Sequence, residues 1–155
     1  MRNQLSSVRD NPEGRRPVRP GMRGGMARII YVEDDERAGA AVRQALREAG
    51  HMVGLIDHGM LAFDTIAFNK PDLVILDQSL PGAQGLDILR ALRRLPALCR
   101  TPILMLSAKG GEAEADEAMG AGANACLVTP FEPELLVRRV AEMLDDDSLP
   151  DDAGA

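Results

Sequence analysis

Five short apolar runs punctuate the middle of the chain: Ile29-Ile30-Tyr31-Val32, Met52-Val53-Gly54-Leu55-Ile56, Leu73-Val74-Ile75-Leu76, Ile103-Leu104-Met105-Leu106 and Ala125-Cys126-Leu127-Val128. Each is continuous rather than alternating, the pattern of parallel strands covered by helices on both faces. Between them the period changes. Ala38, Ala41, Val42, Ala45, Leu46 and Ala49 recur at helical spacing, and Gly50 ends that helix. Phe63, Ile66 and Ala67 make a shorter stripe that ends near Pro71, and Ile88, Leu89 and Leu92 a third that ends before Pro96. An Ala-rich stretch from Glu112 to Gly120 is a weak fourth helix, and Leu136, Val140, Met143 and Leu144 mark a fifth. Five strand–helix alternations predict an α/β domain over residues 27–144, a doubly wound five-stranded parallel sheet with crossover helices on both faces.

Composition narrows the class. The chain has 155 residues, suiting one domain with tails, and a 45% hydrophobic share sufficient for a core. With one Tyr, three Phe and no Trp, aliphatic side chains must fill that core. No apolar run approaches the ~20 residues that span a bilayer, and the N-terminus lacks a signal-type apolar segment. Cys99 and Cys126 lack CxxC or zinc-type spacing. These features argue against a membrane protein, a disulfide scaffold and a zinc module, and a cytoplasmic location is expected.

Charge is uneven. The net is −6, yet residues 1–25 carry six Arg against Asp10 and Glu13, while the remainder carries 12 Lys/Arg against 22 Asp/Glu. Residues 1–26 read as a disordered basic tail and residues 145–155 as an acidic one. The acidic body, with no further domain after it, argues against DNA binding by this chain.

In doubly wound sheets ligands sit beyond the carboxyl ends of the strands. There the five runs are followed by Glu33-Asp34-Asp35, Asp57, Asp77, Ser107 and Thr129. Carboxylates from distant parts of the chain, Glu33, Asp34 and Asp77, meeting at one rim repel each other unless a cation or proton neutralises them. An all-oxygen donor set favours Mg²⁺, and an ionised Asp beside such a cation can attack phosphorus. His51 and His58 lie seven positions apart on different segments, so no metal site is expected of them. Gly82 and Gly85 serve the turn after Pro81; the first strand is not followed by GxGxxG.

The runs Ile30-Tyr31-Val32-Glu33-Asp34-Asp35, Leu73 to Gly82, Leu106-Ser107-Ala108-Lys109 and Gly122-Ala123-Asn124-Ala125 with Pro130-Phe131 resemble the receiver domain of bacterial two-component response regulators. Asp77 lies 43 positions after Asp34 and Thr129 lies 22 after Ser107, spacings typical of that family. The resemblance implies the flavodoxin-like, CheY-like strand order 2-1-3-4-5 and a magnesium-dependent phosphoryl acceptor rather than an enzyme. It makes Asp77 the phosphoacceptor. Asp34, Asp77 and the backbone carbonyl of Ser79 become the metal ligands, with Glu33 acting through water, and Ser107 becomes the hydroxyl that senses the phosphoryl group. Implied partners are a histidine kinase or phosphotransfer protein and an unidentified downstream protein, with output through the face of the fourth helix, fifth strand and fifth helix. Asp35 is expected to be solvated and Asp57 to cap the second helix.

Two positions depart from the family. Thr129 stands where a Lys normally pairs with the phosphoryl oxygens. Cys126 stands where an aromatic normally moves with the sensing hydroxyl, and reads as a core thiol. Lys109 is a candidate accessory cation. The leading expectation is a stand-alone phosphoacceptor; the alternative is a degenerate receiver serving as a binding scaffold. An Asp-nucleophile phosphatase ranks last, because the acid/base Asp such enzymes carry two residues on is here Ser79. A flavodoxin is disfavoured because the acidic first loop repels phosphate.

Overall fold

The computed structural model describes residues 26–108 and 112–145. Strand and helix alternate as expected: β1 Arg28–Val32, α1 Glu36–Glu48, β2 Met52–Ile56, α2 Gly59–Asn69, β3 Leu73–Asp77, α3 Gly85–Arg93, β4 Ile103–Ser107, α4 Glu112–Gly120, β5 Ala125–Val128 and α5 Pro133–Asp145. All strands are parallel, in the order β2-β1-β3-β4-β5. Helix α5 runs through Asp145, one residue past the expected domain end. The expected basic tail, apart from Met26, and the acidic tail beyond Asp145 lie outside the described residues.

Successive side chains of a strand point to opposite faces, so each aliphatic run feeds two cores. Ile29, Tyr31, Leu73, Ile75, Leu104 and Leu106 pack with α1 and α5, through Val42, Leu46, Leu136 and Val140. Ile30, Val32, Val74, Leu76, Ile103 and Met105 pack with α2, α3 and α4, through Ile66, Leu89, Leu92 and Ala118. A fully buried aliphatic side chain contributes about 1.5–3 kcal/mol, so the two cores supply the main driving force for the fold.

Strand β2 corrects the expectation of cover on both faces. It lies at the sheet edge, paired only with β1, and its pattern is part-exposed throughout, with Met52 exposed. An uninterrupted apolar run therefore does not distinguish a central strand from an edge one. Helix α2 likewise exposes Met60, Leu61 and Phe68 on its outer side, beyond the expected stripe.

The caps differ from expectation. The side chain of Asp35 accepts from the Arg37 and Ala38 amides at 3.0 and 3.2 Å, so this exposed acid caps α1 as well as meeting solvent. At α2 the cap is His58, whose Nδ1 accepts from the Met60 amide at 3.2 Å, and not Asp57. An N-cap acceptor must stand one residue before the first helical turn, and Asp57 is one residue too early.

The amino-terminal rim of the sheet is tied together by polar contacts. The guanidinium of Arg93 donates to the carbonyls of Gly122, Leu98 and Thr101 at 2.9, 2.9 and 2.7 Å, and to Asn124 Oδ1 at 2.8 Å. Asn124 Oδ1 also accepts from the Ile103 amide. His51 Nδ1 accepts from the Ala27 amide and Asp72 from the Arg28 amide. Burial lowers the His51 pKa, with Asp72 opposing, so His51 acts as a neutral acceptor.

Candidate functional site

Strand register sets the site. Val32 pairs with Leu76 and Asp77 with Leu106, so the acids that follow β1 stand level with the last residue of β3. One ligand oxygen from each of Glu33, Asp34 and Asp77 lies within 4.8 Å of the others. The three acids expected to converge do so. Asp34 is exposed, Asp77 half-buried and Glu33 buried.

Each acid is held differently. The Tyr31 hydroxyl donates to Glu33 Oε1 at 3.0 Å, and the Asp35 amide donates to Oε2 at 3.2 Å. On Asp77, Oδ1 accepts from the Ser79 amide at 3.0 Å. The start of α3 presses against this segment: a Cβ at Gly85 would overlap the Asp77 carbonyl oxygen, so only glycine permits the approach. Gly82 occupies the left-handed region at φ 89°, making the turn between β3 and α3.

Among the described residues no cation forms an ion pair with these carboxylates; the surface pairs are Arg90 with Asp87 and Glu117, and Arg139 with Glu142. Burial pushes the Asp77 pKa up to about 7; the Ser79 amide opposes the rise, and Glu33 and Asp34 add to it. Burial and the neighbouring Glu33 hold the Tyr31 phenol well above its ordinary range, so it stays a proton donor. Three carboxylates with their oxygens this close fit a hard, oxygen-seeking divalent cation.

Strands β4 and β5 supply the remaining groups. Ser107 is buried, and its Oγ lies 3.6 Å from Cys126 Sγ. Cys126 is half-buried against the α2–α4 core, in keeping with a packing thiol. The Thr129 hydroxyl donates to the Ser107 carbonyl at 3.2 Å, and the Thr129–Pro130 bond is cis. Thr129 thus closes a bond to backbone where the family pattern presents a charge. Lys109 lies outside the described residues.

Sequence reasoning missed Tyr31 as a site residue, reading it as part of an apolar run and of the motif that leads from β1 into the acids. A signal was available: it is the chain's one tyrosine, set two residues before Glu33 on the same strand face.

A model of the response regulator receiver domain matches residues 29–141. The chain belongs to this family. The receiver is 38% identical over 119 residues to the phosphate regulon transcriptional regulatory protein PhoB of Rhizobium meliloti, a match covering 77% of this chain and 52% of that protein. A putative response regulator from Chloroflexus aurantiacus superposes with a TM-score of 0.73 at 36% identity, over 76% of the receiver and 97% of that chain. The chemotaxis response regulator CheY4 of Vibrio cholerae gives 0.72 at 29% identity, over 76% and 98%. The receiver spans about half the length of the curated relatives it matches. Among the described residues no helix is long and apolar enough to cross a membrane.

Proposed function

We propose that this receiver accepts a phosphoryl group on Asp77 in a two-component phosphorelay, with Mg²⁺, and signals through its α4–β5–α5 face. The observation that carries the reading is the convergence of Glu33, Asp34 and Asp77 at one rim. Asp34, Asp77 and the Ser79 backbone carbonyl would hold the cation, with Glu33 acting through water. When bound, a divalent cation would supply charge screening between these acids and the incoming phosphoryl oxygens. The donor is a phosphohistidine of a kinase or phosphotransfer protein. A carboxylate oxygen of Asp77 bonds to phosphorus as the phosphorus–nitrogen bond breaks, and the imidazole leaves with the electron pair and takes up a proton. Ser107 then donates its hydroxyl to the new phosphoryl oxygens. The role is that of a cytoplasmic acceptor and switch whose phosphorylated state is read by a partner protein, rather than of an enzyme.

Intact-mass measurement after incubation with acetyl phosphate and Mg²⁺ tests the reading. Wild type is expected to gain one phosphoryl group and Asp77→Ala none. Equal gain by both, or none by wild type, overturns it.

A second reading, a scaffold that works without phosphorylation, is favoured by one contact: the Thr129 hydroxyl is engaged with the Ser107 carbonyl, and no cation occupies its position. A hydrogen bond to a charged group is worth about 1.5–3 kcal/mol, so its loss weakens coupling between Asp77 and the output face. Thr129→Lys is expected to enlarge the amide shifts on that face when beryllofluoride mimics the acyl phosphate. Shifts no larger than in wild type would remove Thr129 as the cause of weak switching.

A further inference from the structure

We propose that Tyr31 is a positioning residue for the acidic site, presetting the Glu33 carboxylate for the cation, and that its phenol reports cation binding optically. The inference rests on the metal reading above.

Tyr31 is fully buried, and its ring packs in the aliphatic core under α1 and α5. A buried phenol needs a partner for its hydroxyl, and Glu33 Oε1 at 3.0 Å is that partner. Residues two apart on a strand share a face, so the backbone itself aims the phenol at the glutamate. The second oxygen of Glu33 is taken by the Asp35 amide at 3.2 Å. A long, flexible side chain is thereby held at both oxygens before any cation arrives. Each oxygen keeps a lone pair for water or metal. Asp34, by contrast, is exposed, and Asp77 Oδ1 is held by the Ser79 amide. Glu33 is thus the rigid member of the trio, and Tyr31 is what makes it rigid from the core side.

The optical consequence follows from composition. Tyr31 is the one tyrosine and tryptophan is absent, so ultraviolet emission excited above the phenylalanine band comes from this phenol alone. A hydrogen bond to carboxylate quenches tyrosine. A cation that draws on Glu33 alters the charge that the phenol meets, so emission changes on binding.

The test is a Mg²⁺ titration of the full chain, followed in parallel by tyrosine emission and by amide shifts around Asp77. Wild-type emission is expected to change saturably with the same midpoint as the shifts, and Asp34→Ala to lose both responses. Tyr31→Phe keeps the ring and removes the hydroxyl; it is expected to raise the Mg²⁺ dissociation constant, read from amide shifts, about tenfold. In a Glu33→Gln background the same change is expected to add nothing, which a purely structural tyrosine would not predict. Shifts that titrate normally while wild-type emission stays flat and Tyr31→Phe binds as wild type overturn this inference and leave the metal site standing. Absence of any Mg²⁺ response in the wild-type shifts overturns both. The emission arm needs no variant, so it decides the matter even where Tyr31→Phe folds poorly.

Discussion

Arg93 and Asp77 are both part-buried ionisable groups, set at opposite ends of the same sheet, and their surroundings differ in kind. Arg93 meets four acceptors on the loops that lead into β4 and β5, with no carboxylate among them. Burial lowers its pKa to about 10, which still leaves it charged at neutral pH. Asp77 receives one backbone amide and shares its space with two further acids. Among the described residues, the buried side-chain oxygen without a partner, Gln78 Oε1, also belongs to the Asp77 end. One end has its polar groups satisfied and locks loops together; the other keeps like charges in excess. Unbalanced charge of this kind is maintained where a ligand is to supply the balance, at the expense of stability.

The contrast can be broken first at the satisfied end. Arg93→Ala takes a donor from three carbonyls and from Asn124 Oδ1, and is expected to cost about 2–4 kcal/mol in urea unfolding. A loss near zero would show that water replaces the guanidinium and that the clamp is incidental. At the opposite end, removal of charge is expected to stabilise. Because Asp77 is raised to about 7, its proton binds the folded state more tightly than the unfolded chain. Ionisation therefore weighs against the folded, metal-free protein increasingly from about pH 4 upward, and fully above about pH 7. With Asp77 only half-buried and screened by solvent, Asp77→Asn is expected to add about 1–2 kcal/mol at pH 8, fading to nothing near pH 4. A stability difference that is flat across this range would refute the strained-acid account. The smallest effect sharpens the comparison within the acidic rim itself. Asp35 sits beside the cluster yet serves the helix, so Asp35→Ala is expected to cost about 1 kcal/mol of stability. It is expected to leave Mg²⁺ affinity near wild type, because the amide that holds Glu33 is backbone and survives the substitution. A large loss of affinity would place Asp35 in the site.

The capping residues show where local reading stops. Asp35 and Asp57 each follow a strand and each precede a helix, so the sequence offers no difference between them. The structure separates them by one residue of phase: Asp35 stands directly before Glu36, whereas His58 intervenes between Asp57 and Gly59. The rim acids were legible because register is fixed by hydrophobic runs of similar length, and the strands end level. Tyr31 was passed over as a site residue, since in a strand pattern it counts as one more apolar position. The exposure of β2 was equally hidden, because an apolar run does not say whether a neighbour lies on each side.

What the sequence determined by itself was local and periodic: five strand–helix alternations, the helix-ending Gly50, and acids and hydroxyls placed at the carboxyl ends of strands. These follow from side-chain periods and backbone preferences that act within a few residues. What only the tertiary structure decided depends on groups brought together across long stretches of chain. Arg93 reaches Gly122 and Asn124, 29 and 31 positions away, and Glu33 meets Asp77 across an intervening strand and two helices. No local preference encodes such meetings; they are set by which strands pair, which faces are covered, and which polar groups are left to find one another once water is excluded.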